Sequence, residues 1–258
     1  MMQVFEFEDQ KWFPNFIRES MTDYLRYVLN TTNFYRPTTL LLYDCLSQSH
    51  VNYCVDLCSG GGGPIESVIK NLKDEHALEV RFILTDKFPN KEAFNFIKKR
   101  LPNNIEFIES SIDAVEVPTE LVGVRTMYSA IHHFERETIK SVIQDAIKAK
   151  VPIAIFDGSD KSLLTIVIII IFHPIAFFLF TPFFKPFKLS RIFFTYIIPV
   201  IPFCTIWDGV VSILRLYQPG DLLKIVQEVD NNYKWKAGKV RNNLYMNITY
   251  LTGFPENN

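Results

Sequence analysis

"VDLCSGGGGP" (Val55–Pro64) places four consecutive glycines, Gly60 to Gly63, between an apolar strand pattern and a helical pattern. Glycine has no Cβ, so the backbone of such a turn can adopt positive φ and a ligand can lie close to the main chain. The turn is therefore either a tight or flexible connection or part of a ligand site. The sequence on both sides of the turn helps to decide between these two interpretations.

The residues around this turn alternate between strand and helix patterns. YCVDLC before the turn is predicted to be a buried strand, and IESVIKNL after it is predicted to be a helix. EVRFILTD, NIEFIESSID, VGVRTMYSA and VPIAIFDGSD are further strand patterns, and YKWKAGKVR with LYMNITYLTGF forms a closing antiparallel pair. Strands that alternate with helices form a parallel sheet with helices on both faces. We therefore predict an α/β fold: a seven-stranded, mostly parallel doubly wound sheet with a C-terminal antiparallel hairpin and an apolar helical insertion after strand five.

The composition is that of a folded domain. The 258 residues are 48% hydrophobic and 21% charged, and the formal net charge is −1, which suits one large domain or one domain with an insertion. No nucleic acid partner is expected, since such proteins carry a strongly basic surface. The four cysteines form no C-x-x-C pair, so we predict no metal site and expect reduced thiols.

Acidic residues follow the second and third strand patterns. Asp86 ends EVRFILTD, about 30 residues after Asp56, where a carboxylate can accept both hydroxyl protons of a ribose. Asp113 follows the third strand, where an acceptor could meet an exocyclic amine. Ordinary turn or capping roles remain open for both residues. A dinucleotide fingerprint would require glycine at position 65, which is Ile65, so a pyrophosphate cradle is disfavoured.

The glycine turn and these acids, in this order, resemble the class I S-adenosylmethionine-dependent methyltransferases. The family pattern acid-x-Gly-x-Gly-x-Gly matches Asp56, Cys58, Gly60 and Gly62, with Cys58 in place of the first glycine. YSAIHHF resembles the segment after the family's fourth strand, where the methionine part of the cofactor meets the substrate. The resemblance implies S-adenosyl-L-methionine as cofactor. The cofactor-binding residues that it implies are Asp56, Ser59, Gly60, Gly62, Asp86, Asp113, Ala114 and Ser129.

Three residues near the carboxyl ends of strands four and five are candidates for catalysis. A methyltransferase aligns a nucleophile with the methyl group and excludes water, and a protic acceptor also needs a base. His132 and His133 follow strand four and could remove that proton, although packing or capping roles remain the alternative. Asp157 lies at the end of strand five, at the edge where ligands bind in open α/β sheets.

WDGVVSILRLY contributes a second group of candidates. Asp208, Arg215 and Tyr217 are polar residues in an apolar context just before the last helix, and we predict that they contact substrate. An acid and an arginine among Val, Ile and Leu are expected to pair. The pair of Asp208 and Arg215 either is structural or orients the substrate.

Ser162–Phe184 carries no formal charge and is long enough to cross a bilayer. A single crossing is excluded, because the last helix and the hairpin must return to the sheet. Pro174 and Pro182 are expected to break the run into short helices. The favoured interpretation is a shallow helical hairpin in one leaflet, with its Lys and Arg residues near anionic headgroups. A lid over an apolar substrate and a dimer interface are the alternatives.

Four parts of the chain follow from these patterns. They are N-terminal helices covering the active site (1–50), a Rossmann-like cofactor-binding core (51–160), the hydrophobic insertion (161–207), and the last helix with the hairpin (208–258). The leading hypothesis is a methyltransferase acting on a hydrophobic small molecule or lipid. A non-catalytic membrane or partner-binding protein of the same fold and a nicotinamide-dependent oxidoreductase are the alternatives. We expect a cytoplasmic location. Peripheral or monotopic attachment to the inner face of a membrane and oligomerisation are both open alternatives.

Overall fold

The structure, a computed structural model, describes residues 4–49, 51–229 and 233–255. The strands are β1 Tyr53–Asp56, β2 Arg81–Leu84, β3 Ile105–Phe107, β4 Val124–Tyr128, β5 Ile153–Gly158, β6 Tyr233–Arg241 and β7 Asn247–Pro255. They form one seven-stranded sheet in the order β3-β2-β1-β4-β5-β7-β6. β1 to β5 pair in parallel, and β7 lies antiparallel between β5 and β6. The predicted fold class is confirmed.

Helices cover both faces of the sheet. They are α1 Asn15–Thr31, α2 Thr39–Ser47, α3 Ile65–His76, α4 Lys91–Arg100, α5 Arg136–Ala149, α6 Leu163–Phe180, α7 Leu189–Tyr196, α8 Val200–Arg215 and α9 Pro219–Gln227. One core cluster joins the sheet to α2, α3 and α4, and a second joins it to α5 and α9. Strands that are buried on both faces read as continuous apolar runs, which is why the sequence identifies them.

The apolar segment forms one long helix where the prolines predicted short ones. α6 runs without interruption through Pro174, so the prediction of a break at this proline is wrong. Proline removes one backbone hydrogen bond from a helix interior, and packing on both sides of Pro174 holds α6 together: Ile169 is buried before it and Phe177 after it. The helix ends instead at a 3₁₀ turn, Thr181–Phe183. The boundary predicted at residue 207 also needs correction, because it falls inside α8.

The insertion packs against α1. Phe177 of α6 stacks on Tyr24, and Phe184 also contacts that ring. Arg191 forms an ion pair with Asp23, and both side chains are buried. The insertion therefore lies alongside the domain and is joined to it by apolar and charged contacts.

Lys185, Lys188 and Arg191 lie between the two apolar stretches of the insertion, and two of these three cations are used in this packing. Lys188 lies 2.7 Å from the Glu19 carboxylate and 2.9 Å from that of Glu92, and Arg191 is buried. The expectation that all three cations face lipid headgroups is therefore wrong for these two. Lys185 is exposed.

Candidate active site

A cavity of about 520 Å³ opens at the carboxyl ends of β1, β2 and β4. Its floor is the glycine turn and the segment 128–134 after β4, one wall is 86–91 after β2, and α1 with residues 8–11 forms the roof. The volume is within the range of roughly 300–1,000 Å³ that is usual for small-molecule sites. Ligands bind at this edge of open α/β sheets, so the cavity is the candidate site.

The glycine turn is built for close approach of α1 to the main chain. A Cβ on Gly61 would lie 2.8 Å from the backbone carbonyl carbon of Thr22, so no larger residue fits there. Cys58, which stands where the family pattern has glycine, has a φ of +56°. The backbone therefore keeps the conformation that favours glycine although the side chain differs. Gly60 lines the cavity, whereas Gly62 does not.

Asp86 lies in the cavity wall and is tied to the turn. Its carboxylate accepts hydrogen bonds from the backbone N–H of Gly60 and of Phe88, each at 2.7 Å. Burial raises the pKa of Asp86 above its usual value, although these two hydrogen bonds act to lower it. Each carboxylate oxygen retains a further lone pair, so the group can still accept hydrogen bonds from a vicinal diol such as that of a ribose.

Asp56 lies beneath the turn and outside the cavity lining. Its carboxylate accepts hydrogen bonds from the hydroxyls of Ser59 and Thr126, both at 2.7 Å. Burial raises the pKa of Asp56 to about 7, although both hydroxyls act in the opposite direction. The side chain therefore holds the turn in place, while Ser59 lines the cavity.

Asp113 and Ala114 lie beside the cavity and outside its lining. Asp113 forms an ion pair of 2.8 Å with Lys87, and Ala114 is buried in the core. Glu109 and Ser111, which the sequence patterns did not single out, line the cavity instead. The side of the cavity expected to hold an adenine is thus formed by the chain before Asp113.

The segment after β4 carries Ser129 and the two histidines. Ser129 lines the cavity with a φ of +51°, and its hydroxyl lies 2.5 Å from that of Tyr35. His132 is buried, and its Nδ1 lies 2.9 Å from both carboxylate oxygens of Asp157. The ring centroids of His132 and His133 are 4.3 Å apart. The structure therefore brings the three predicted catalytic residues together, and His133 alone of these three lines the cavity.

His133 is surrounded by carboxylates from the N-terminal segment. Its Nδ1 lies 2.8 Å from Glu6 and 3.0 Å from Asp9, and its Nε2 lies 3.3 Å from Glu8. Burial acts to lower the pKa of His133, but the carboxylates of Glu6 and Asp9 raise it well above the ordinary value. At neutral pH His133 is therefore a cation, which cannot accept a proton from a substrate.

Glu6, Glu8 and Asp9 beside His133 were missed by sequence reasoning, and Glu8 is the one whose pKa lies near neutral pH. It lines the cavity, and burial raises its pKa to about 8. A carboxyl group that titrates near neutral pH can exchange a proton with a bound nucleophile. The available signal was the acidic run EFED at Glu6–Asp9, which lies far from the histidines in sequence.

Three of these side chains also form a group with the spacing of metal ligands. One ligand atom from each of Glu6, His132 and His133 lies within 4.8 Å of the others. A protonated imidazole cannot coordinate a metal, so this group could hold one only if His133 gave up its proton.

Asp208, Arg215 and Tyr217 lie outside the cavity lining. Asp208 accepts hydrogen bonds from the backbone N–H of Phe7 and Glu8, at 2.7 and 3.0 Å. Its predicted pairing with Arg215 is wrong, because seven residues of helix separate the two by about 10 Å along the axis.

Arg215 and Tyr217 instead bind the segments that surround His133. Arg215 contacts Asp9 at 3.2 Å and donates to the His133 carbonyl at 2.6 Å. The Tyr217 hydroxyl donates to the carbonyl of Phe134 at 2.9 Å. Together with Asp208, these residues position the N-terminal segment and the segment after β4, which belong to the roof and to the floor of the cavity.

α1 separates the cavity from the insertion. Arg18, Thr22 and Leu25 face the cavity, whereas Ile17 and Tyr24 pack in the cluster that contains residues of the insertion. Within the described residues, none from 162–207 lines the cavity. The insertion therefore covers the outer face of α1 and does not form a lid directly over the cavity.

The same fold occurs in several solved structures. The plantazolicin methyltransferase BpumL in complex with SAH matches with a TM-score of 0.57 and 10% identity, over 96% of this chain and 94% of that chain. A protein of Methanococcus maripaludis assigned as an S-adenosyl-L-methionine-dependent methyltransferase (mmp1179) matches with a TM-score of 0.51 and 9% identity, over 94% and 95% of the two chains. A protein of Rhodobacter sphaeroides assigned as a Zn-dependent alcohol dehydrogenase matches with a TM-score of 0.50 and 12% identity, over 92% and 98%.

These similarities concern the fold. No family model matches the sequence, and no curated protein matches it. The strand order and the solved structures together give the chain the fold of the class I S-adenosylmethionine-dependent methyltransferases. This confirms the fold that the sequence resemblance implies.

Proposed function

We propose that this protein is an S-adenosyl-L-methionine-dependent methyltransferase whose acceptor is a hydrophobic small molecule or lipid. The observation that carries the proposal is the position of Asp86. Its carboxylate lines the cavity and is fixed to the glycine turn through Gly60, on a fold shared with BpumL, which was solved with SAH. A carboxylate at the end of the second strand suits the two hydroxyls of a ribose.

The cofactor supplies an electrophilic methyl group on a sulfonium, and the chain's own residues provide the surroundings. Asp86 would hold the ribose, and the backbone at Ser59, Gly60 and Ser129 would face the methionine part. Glu8 in its ionised form would accept a proton from the acceptor; its pKa of about 8 leaves it mostly protonated at pH 7, so this role should strengthen as pH rises to 8 and above. The His133 cation beside it would stabilise the ionised form of Glu8.

Two features support an apolar acceptor. Leu25, Leu29, Tyr128 and Phe134 contribute apolar surface to the cavity, as is usual for sites that bury a small molecule. Large apolar side chains are also exposed on the adjoining insertion. The first feature supports an apolar acceptor directly, whereas the insertion lies on the other face of α1 and supports it only as a neighbouring apolar surface.

The non-catalytic alternative rests on Cys58 in place of a family glycine. Since Cys58 keeps the positive φ that the turn requires, this departure leaves the backbone of the site intact. The oxidoreductase alternative is disfavoured by Ile65, because a pyrophosphate cradle needs glycine at that position.

Transfer of a labelled methyl group tests the proposal. The protein is incubated with methyl-labelled S-adenosylmethionine and a total lipid extract, and label is counted in the organic phase. We expect label from the parent protein, and a loss of about 10²–10⁴-fold in rate for Glu8→Gln with S-adenosylhomocysteine affinity nearly unchanged.

Two failures have different meanings. Tight binding of S-adenosylhomocysteine with no labelled product from lipid or from a panel of apolar alcohols, phenols and amines would favour the non-catalytic alternative. A product that partitions only into water would retain the methyltransferase activity and refute the apolar acceptor.

A further inference from the structure

The insertion exposes a continuous apolar surface. We define the apolar face as the exposed apolar side chains of residues 163–207. On α6, Leu164, Phe172, Ile175 and Leu179 are 69%, 60%, 50% and 60% exposed, and similar exposure continues through α7 to the start of α8. Monomeric soluble proteins rarely expose a contiguous apolar patch of more than a few hundred Å². The apolar face is therefore a surface that requires a partner.

α6 is the centre of this surface and is anchored to the domain where Phe177 packs on Tyr24. Within the described residues, Leu163–Phe183 is the one continuous helical segment long and apolar enough to cross a membrane, and 17% of its most apolar window is buried. A crossing would pull Phe177 away from Tyr24 and leave Asp23 without its Arg191 partner. Since burying an unpaired charge is costly, the packing favours a helix that lies along a surface.

The charge pattern of the insertion favours an anionic surface as the partner of the apolar face. No Asp or Glu occurs between Asp160 and Asp208, although the chain has 28 such residues among 258. Lys161 and Lys185, one at each end of α6, are exposed and have no ion pair within the described residues. A contact with a second copy of the chain would not require the exclusion of carboxylates, whereas anionic headgroups repel them and attract lysine.

Aromatic residues at the border of the apolar face suit the interface between lipid and water. Trp12 and Trp207 are 67% and 38% exposed. Trp and Tyr, whose rings carry a polar group, are enriched at the interface between lipid and water. Trp12 also adjoins Lys11, which lines the cavity. The ring of Phe7 contacts the rings of both Trp12 and Trp207, so the N-terminal segment that contributes to the cavity lining also borders the apolar face.

We propose that the apolar face inserts into one leaflet of an anionic membrane. α6 lies parallel to the membrane plane, with Lys161 and Lys185 among the headgroups and the mouth of the cavity at the membrane surface. The inference concerns a lipid-binding surface and does not require that the chain transfers methyl groups, so the two proposals can fail separately.

Sedimentation of the full chain with vesicles tests this proposal. Vesicles of phosphatidylcholine alone are compared with vesicles that also contain phosphatidylserine. The parent should sediment with both and more strongly with the anionic vesicles, and salt should reduce the difference. Combined substitution of Phe172→Ser, Ile175→Ser and Leu179→Ser should weaken partition by about 100-fold or more, because each side chain loses its apolar transfer into lipid.

Two matched controls separate the apolar and charge contributions. Leu40→Ser, Val122→Ser and Leu244→Ser change three side chains of similar exposure, 56%, 45% and 50%, outside the apolar face, and should leave binding unchanged. Lys161→Gln with Lys185→Gln should reduce binding to anionic vesicles by roughly five-fold for each lysine and leave binding to phosphatidylcholine unchanged. Lys70→Gln with Lys234→Gln is the control for that pair.

The far-ultraviolet circular dichroism and the urea unfolding transition of each variant establish that the fold is retained. A parent protein that stays in the supernatant with both vesicle types overturns the proposal. A concentration-dependent dimer in the same experiment would assign the apolar face to a second copy. Unchanged vesicle binding by the folded Phe172, Ile175 and Leu179 variant also overturns the proposal, as does equal loss in the Leu40, Val122 and Leu244 control.

Discussion

The ring of Phe177 on α6 stacks on the ring of Tyr24 on α1, with 4.0 Å between the ring centroids. Tyr24 lies on the face of α1 opposite the cavity, while Arg18 and Thr22 line the cavity from the same helix. The packing of the apolar insertion therefore holds the helix that forms the roof of the candidate site.

Replacing Phe177 by alanine should strongly destabilise the protein. The side chain is fully buried, and removal of a buried Phe side chain costs about 3–5 kcal/mol. The neighbouring Phe178 is 46% exposed, so Phe178→Ala should change the free energy of unfolding by only about 0.5 kcal/mol. Urea denaturation of both variants measures the difference, and equal effects would show that α6 does not pack on α1 as described.

The carboxyl group of Asp56 should make stability depend on pH. Burial raises the pKa of Asp56 to about 7 in the folded protein, whereas an unfolded Asp titrates near 3.9. Between these values the folded protein keeps a proton that the unfolded chain has lost. The free energy of unfolding should therefore fall as pH rises through this window, by about 1.4 kcal/mol per pH unit for this group, and become constant above it.

Asp56→Asn removes this titration. Urea unfolding of the parent and the variant from about pH 5 to about pH 8 isolates the contribution, because all other groups are shared. The difference between the two slopes should vanish above pH 7, where Asp56 is ionised in both states. Parallel curves across the whole range would contradict the assignment of a protonated, buried Asp56.

The ring of His133 should remain protonated above neutral pH. Burial opposes the charge, but Glu6 and Asp9 raise the pKa of His133 well above its ordinary value. The charged ring therefore contributes stability below the unfolded pKa of about 6.5, and this contribution is lost as pH rises through the folded pKa. A nuclear magnetic resonance titration of the ring protons reports the value directly.

Glu6→Gln is the matched test of the cause. It removes one carboxylate and should lower the pKa of His133 toward its ordinary range. An imidazole that is neutral at pH 7 in the parent protein would make His133 a candidate base again and would remove that role from Glu8.

The sheet and the cofactor turn could be predicted because their signals are local. β1 and β4 are apolar runs, and Asp86 directly follows an apolar strand. The path of the chain after β5 was harder to predict, because Pro174 indicates a break. Packing of Ile169 and Phe177 on either side keeps α6 continuous, and this packing depends on helices far along the chain.

The group formed by Glu6, Glu8, Asp9 and His133 could not be predicted from a local sequence pattern. Glu8 and His133 are 125 positions apart, and the Asp208 carboxylate reaches the backbone of Phe7 across 201 positions. The sequence singled out His133 and Asp208 as polar residues in suitable places. Their partners lie in a short N-terminal segment whose position only the folded chain defines.

Calorimetric titration with S-adenosylhomocysteine tests the central claim most directly. We predict that the parent binds one molecule per chain and that Asp86→Asn weakens binding by about 10–150-fold, the equivalent of the 1.5–3 kcal/mol typical of hydrogen bonds to a charged group. Asp74→Asn, at an exposed position outside the cavity, should bind like the parent, and circular dichroism checks that Asp86→Asn is folded. Absence of binding to the parent, or equal affinity in the folded Asp86→Asn variant, would contradict the assignment of this cavity as a cofactor site.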